Sequence, residues 1–274
     1  NTYNEINKDI KDIDADIIGL QEFVFGNVIQ INKDVNIDTR NFYNDIKKNG
    51  YTKTIVCNSV PSWYDSIYGN IVLIKNTYCN DIKCEEKHRA PLDETIFTFN
   101  KSKKATICSG NNKGRRETRC YIKLLIHKYN KHIYIYVTHL DVATEKERLS
   151  QIKHIIHDAK QYNKKNDIVL IIGDFNSFDK DQENKKDPSQ RWKYNKFLKD
   201  NGKVVSELKK YKYCDIHKEL NAKDPKIMTA WNNTRVDFMF CNKPEKKTGL
   251  VFRPEYYYTT SSDHIPVVLT LSKS

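Results

Sequence analysis

Twice along this chain a capped helix leads into an unbroken apolar run that stops at an acid. The first time, Thr2-Tyr3-Asn4-Glu5 has the form of a capping box, and Ile6, Ile10 and Ile13 follow at helical spacing, so a helix is predicted from residue 3. Asp16-Ile17-Ile18-Gly19-Leu20 then reads as a short buried strand that delivers Gln21-Glu22 at its C-terminal end. The second time, Thr144-Glu145-Lys146-Glu147 is the capping box, and Leu149, Ile152, Ile155, Ile156 and Ala159 share one face of a helix of about 18 residues. Asp167-Ile168-Val169-Leu170-Ile171-Ile172 follows as a strand and ends on Gly173-Asp174-Phe175-Asn176. Two similar halves are implied.

Between these units, residues 52–57, 70–75, 95–99, 120–126 and 132–138 read as strands, the last alternating cleanly. Arg235–Phe240 and Ile265–Leu271 are strand-like and adjoin acids. Strands with helices outside them suggest two packed sheets, and 274 residues suffice for one domain, 1–274. Residues 100–119, carrying seven Lys and Arg among Ser, Gly and Asn, and residues 177–191 read as loops.

No apolar run approaches the ~18 residues that cross a bilayer, and residues 1–30 lack a secretory pattern. A soluble monomer inside the cell, in cytoplasm or nucleus, is expected, with room for a leader upstream of the given residues. Seven cysteines form no metal-type pair, and an odd number cannot all pair within the chain, so reduced, mostly buried thiols are expected. A net charge of +12 favours polyanions: nucleic acid first, anionic membrane or phosphorylated small molecules second. The abundance of Lys, Asn, Ile and Tyr equally fits an A+T-rich genome.

Each candidate site residue has an ordinary explanation when taken singly. Glu22 past a buried strand fits a solvated loop acid or a cation ligand. Gly173-Asp174-Phe175-Asn176 fits a turn, or an acceptor and an amide aimed at one point. His139, ending an alternating strand in Thr138-His139-Leu140-Asp141, fits a half-buried histidine or a phosphate contact. Ser262-Asp263-His264 fits a capping turn or an acid/base pair. Their conjunction decides: four polar clusters at the ends of apolar strands, gathered at one rim, make one acidic, histidine-containing site. Phosphate-ester hydrolysis needs such parts.

These residues resemble the endonuclease/exonuclease/phosphatase superfamily, whose fold is deoxyribonuclease I-like. The resemblance spans nearly the whole chain. It rests on Leu20-Gln21-Glu22, Tyr68-Gly69-Asn70-Ile71-Val72-Leu73, Arg116-Glu117-Thr118-Arg119, Thr138-His139-Leu140-Asp141, Gly173-Asp174-Phe175-Asn176, Arg235-Val236-Asp237 and Ser262-Asp263-His264-Ile265-Pro266-Val267. It implies an α+β four-layer sandwich of two mixed sheets flanked by helices.

By resemblance, Glu22 is the main Mg²⁺ ligand, with Mn²⁺ an alternative, and Asp263 helps at the metal or orients a histidine. Asp174 activates or positions the water, Asn176 holds the phosphate, and His264 is the acid/base. His139, oriented by Asp237, stabilises the phosphoryl oxygens or serves the leaving group. Arg116 and Asn70 are expected as phosphate or scaffold contacts. The family opens with a strand bearing an Asn near the metal, whereas this chain starts at the following helix, so that strand is expected to be missing.

Three functions follow. The first is a Mg²⁺-dependent phosphodiesterase acting on nucleic acid, an endonuclease, exonuclease or repair enzyme, with the basic loop 100–119 along the backbone and Trp63, Tyr64 and Trp192 available for stacking. The second is a sphingomyelinase-like or inositol-phosphate phosphodiesterase or phosphatase, for which Ile67–Ile74 is the nearest thing to a membrane anchor, although it reads as a strand. The third is a binding protein that kept the fold and lost catalysis.

Overall fold

The apolar runs feed alternate side chains into different cores, and this alternation builds the layers. The computed structural model describes residues 3–29, 36–60, 66–79, 96–98, 119–142, 144–162, 164–179, 202–220, 227–230 and 234–274. One sheet is antiparallel and four-stranded. It takes β1 (Ile17–Ile29), β2 (Asn36–Asp38), β3 (Tyr51–Val60) and β4 (Ser66–Lys75) in the order β2-β1-β4-β3.

The other sheet has six strands: β5 (Ile96–Thr98), β6 (Cys120–Lys128), β7 (Lys131–His139), β8 (Asp167–Asp174), β9 (Cys214–Asp215) and β10 (Asp237–Cys241). Their order is β5-β6-β7-β8-β10-β9, and the parallel β7–β8 pair makes this sheet mixed. A two-stranded ribbon of β11 (Leu250–Tyr256) and β12 (Val267–Lys273) completes the strands described.

In β4, Val72 and Ile74 enter the core between the sheets, while Ile71 and Leu73 enter a second core with Ile10 of α1 (Tyr3–Ile13) and Phe42 and Ile46 of α2 (Thr39–Lys48). In β8, Ile168 and Leu170 join the central core. Val169 and Ile171 pack instead with Ile152 and Ile155 of α4 (Glu145–Ala159) and with Val204 and Leu208 of α5 (Lys203–Lys210). Each buried aliphatic side chain stabilises the fold by roughly 1.5–3 kcal/mol. The result is the α+β sandwich of four layers that the sequence predicts. Helices α3 (Asn76–Cys79) and α6 (Ile216–Leu220) are short connections.

Three expectations are corrected. The first strand does not stop at Glu22 but continues to Ile29 across a bulge, where the register on β4 jumps between Leu20 and Phe23. The helix from 145 has 15 residues, because its buried face ends at Ala159. The cysteines are not all reduced: Cys57 of β3 and Cys120 of β6 form a disulfide between the two sheets, while Cys214 and Cys241 are free thiols. Among the described residues no helix is long and apolar enough to cross a membrane.

Candidate active site

Sheet register alone brings three of the candidate side chains abreast. Parallel pairing sets His139 beside Asp174, and antiparallel pairing sets Asp237 on the other side of Asp174. Directly paired residues project from the same face of a sheet, with Cβ atoms roughly 5 Å apart. Gly173 permits this alignment. At φ +143° it lies so close to β7 that an added Cβ would stand 1.9 Å from the Thr138 carbonyl oxygen.

Glu22 arrives from the opposite sheet. The bulge in β1 and a left-handed φ of 54° turn its side chain out of the strand, and Oε1 lies 3.8 Å from His139 Nε2. His264, just before β12, bridges to Ala230 and donates from Nδ1 to Asp237 Oδ2 at 2.9 Å. Asn176, also left-handed at φ 47°, donates from Nδ2 to the Leu140 carbonyl at 3.1 Å and lies 3.0 Å from His139 Nε2. Its backbone N–H donates to Asp174 Oδ1 at 2.7 Å. Of these groups Glu22, Asp237 and His264 line a cavity of about 1090 Å³, whose apolar walls include Leu20, Val137, Ile172 and Val267.

Arg119, the last residue of the Arg116-Glu117-Thr118-Arg119 motif, is the site residue to which the sequence assigned no role. It is buried, and its Nη1 lies against the His139 ring, 2.9 Å from Nδ1 and 3.4 Å from Nε2. Its position immediately before β6, whose strand character was legible, is the signal that could have singled it out.

The electrostatics separate the two histidines. Burial, then the cations Arg119 and His264, hold His139 well below the ordinary imidazole value, so it is neutral. Burial also opposes charge on His264, but the hydrogen bond and charge of Asp237, followed by the charges of Asp174 and Asp263, push it up to about 9. Asp174 is pushed up to about 7 by burial and by Asp237, against the pull of His264 and the Asn176 amide.

Asp174, Asp237 and His264 offer ligand atoms within 4.8 Å of one another. The carboxylates suit a hard divalent cation, and the raised Asp174 pKa marks crowded negative charge that a cation would relieve. His264, cationic and tied to Asp237, suits the role of counter-charge better than that of ligand. The donor set therefore fits a divalent ion, which Asp174 and Asp237 would hold.

Other expected residues fall elsewhere. Asp237 bonds His264, not His139, because β10 starts on the His264 side of Asp174. Asp263 is exposed, and among the described residues it is no part of the candidate metal group. Asn70 is buried and donates its amide to the Cys120 carbonyl at 3.2 Å, a scaffold contact between the two sheets. Arg116, Trp63, Tyr64, Trp192 and the basic loop before Arg119 lie outside the described residues.

The model of the endonuclease/exonuclease/phosphatase family matches residues 1–264. The chain belongs to this family. Solved structures of the fold agree. An endonuclease/exonuclease/phosphatase family protein from Leptotrichia buccalis C-1013-b superposes with TM-score 0.62 at 16% identity, over 98% of this chain and 92% of that one. The human Nocturnin catalytic domain, with bound sulfate anion, gives 0.59 at 16% identity over 99% and 86%. A mannosyl-6-phosphatase from Bacteroides thetaiotaomicron VPI-5482 gives 0.54 at 16% identity over 98% and 90%. No curated protein matches in sequence. Members of the family are hydrolases acting on phosphoester bonds.

Proposed function

We propose that the protein is a Mg²⁺-dependent phosphodiesterase that cleaves nucleic acid by in-line attack of water on phosphorus, with Mn²⁺ as an alternative ion. The observation that carries this reading is the convergence of Glu22, Asp174 and Asp237 with one neutral and one cationic histidine at a single rim. Bound at Glu22 with Asp174 and Asp237, the ion would supply Lewis-acid polarisation of the phosphoryl group.

In this reading Asp174, set between His139 and Asp237, takes the proton of the attacking water. His264 gives its proton to the leaving oxygen as the ester P–O bond breaks, and Asp237 holds the ring for that transfer. Asn176, Arg119 and neutral His139 face the charge that develops on the phosphoryl oxygens. Asp263 contributes by raising the basicity of His264.

Nucleic acid as substrate is supported by the net charge of +12 and by exposed apolar side chains on the loops bordering the histidines, Val142 at 54% and Tyr258 at 92% exposure. Assays against abasic DNA, 5′-tyrosyl DNA, poly(A), sphingomyelin and inositol phosphates with Mg²⁺ test the reading. Cleavage of a polynucleotide is expected, and cleavage of the lipids alone would overturn it.

A further inference from the structure

The first turn of α4 carries a buried carboxylate that the chemistry above does not use. Glu145 is 4% exposed. Its Oε1 accepts from Ser177 Oγ at 3.0 Å, from Lys203 N at 2.7 Å and from Val204 N at 3.1 Å. Its Oε2 accepts from Arg148 Nε at 2.7 Å. Arg148, equally buried, donates from Nη1 to the carbonyls of Asp141 at 2.9 Å and Val142 at 3.1 Å. Gln151 adds a third tie to the same loop, accepting from Asp141 N at 2.8 Å.

One ion pair thus binds three segments distant in sequence: the loop that leaves His139, the loop that leaves Asp174, and the first turn of α5. The two loops also touch at the site, where Asn176 donates to Leu140. Ser177, fully buried, directly follows the left-handed Asn176. A buried carboxylate that accepts four hydrogen bonds, two of them from the open amides of a helix start, has little freedom to move. Whatever it holds is equally fixed.

We infer that Glu145 is a positioning residue for the phosphodiesterase site: through Ser177 it fixes the turn that aims Asn176, and through Arg148 it fixes the loop behind His139. The inference rests on the phosphodiesterase reading for its consequence in turnover, but its geometric content stands apart from that reading. Neither residue touches the reacting atoms.

The two arms separate by substitution. Ser177→Ala removes one hydroxyl and leaves Glu145 its bonds to Arg148 and α5. Glu145→Gln keeps the shape but sets an amide against Arg148 or against the α5 amides, all of them donors. With bis-p-nitrophenyl phosphate and Mg²⁺, each variant should lower kcat on the order of tenfold to a hundredfold with KM nearly unchanged, as expected for a misplaced group outside the chemistry. Ser177→Ala should lower Tm by only about 2–10 °C and leave the protein folded at assay temperature, which a merely structural role would not combine with a kcat loss at unchanged KM.

Hydrogen exchange of the peptide spanning 172–179 should be faster in both variants, because the Asn176 amide is released from Asp174. Wild-type kcat and wild-type exchange in both variants would overturn the inference. If the wild-type protein hydrolyses no phosphodiester, the phosphodiesterase reading fails, and the exchange rates alone decide whether Glu145 holds the turn.

Discussion

Replacing Gly173 with alanine tests the register on which the site depends. The new Cβ would lie 1.9 Å from the Thr138 carbonyl oxygen and 2.9 Å from its carbonyl carbon. A carbon–oxygen contact relaxes at about 3.3 Å, so against the observed 1.9 Å the strands must part by roughly 1.4 Å. Both atoms belong to backbone, and no rotamer change relieves the clash. Overpacking of this kind costs about 1–3 kcal/mol, and a side chain at strongly positive φ adds about 1–3 more. A total of roughly 2–6 kcal/mol lowers Tm on the order of 10 °C in a domain of this size. Because His139 and Asp174 pair one residue beyond the clash, the displacement should also reduce turnover about a hundredfold. Circular-dichroism melting and hydrolysis of bis-p-nitrophenyl phosphate below the transition measure the two effects. Gly19→Ala is the control: its Cβ would come nearest to a side-chain atom, Val137 Cγ1 at 2.7 Å, and not to backbone, so its effect should be smaller. Wild-type melting and turnover in Gly173→Ala would refute the reasoning.

Other outcomes follow from the charges and exposures at the site. Asp237→Asn should bring the titration midpoint of His264 down from about 9, read by NMR; an unmoved midpoint would show that Asp237 is not its partner. Because the folded value lies above the ordinary 6.5, the stabilisation from this pair is complete below pH 6.5 and fades as pH rises through 9. Asp174 acts in the window beneath. Its pKa is raised from 3.8 to about 7, so metal-free protein should lose stability as pH climbs between these values, and Mg²⁺ should raise Tm more above pH 7 than below it. An equal Mg²⁺ effect at both ends would contradict the crowding of carboxylates. Tyr258→Ala should raise KM for single-stranded DNA by roughly 5- to 150-fold, in line with about 1–3 kcal/mol for a stacked base, and leave the small substrate unaffected. Equal KM values for DNA would remove Tyr258 from the substrate path.

The sandwich was legible because its central strands are apolar on both faces. Ile168 to Ile171 and Ile71 to Ile74 each divide between two cores, and such runs announce themselves without any partner. The strand-end residues were legible for the same reason, since each interrupts a run that burial would otherwise continue. Contacts that depend on register were not. Asp237 sits 27 residues from His264 and across a sheet from His139, and only the antiparallel seating of β10 decides which ring it holds. Arg119 hid among exposed-looking cations because its burial comes with a long-range contact, to His139 at the end of β7. Glu145 read as an inner position of a capping box whose partners are Thr144 and Glu147, yet its carboxylate serves a helix start 58 residues away. The Cys57–Cys120 pair is likewise a product of sheet packing that parity arguments cannot reach. Helix α2 and strand β11 lacked a motif to mark them, and tertiary burial of Phe42, Ile46 and Phe252 is what holds them.

Whether Glu22 and the strand-end residues form one metal-dependent hydrolytic site is decided by the Mg²⁺-dependent turnover of bis-p-nitrophenyl phosphate in wild-type and Glu22→Ala protein. Glu22 has a side chain 62% exposed, so its removal should leave Tm close to wild type. Hydrolysis should be present in the wild type, disappear with a chelator, and be abolished in the variant at all Mg²⁺ concentrations. Undiminished turnover in folded Glu22→Ala would contradict the assignment of the site.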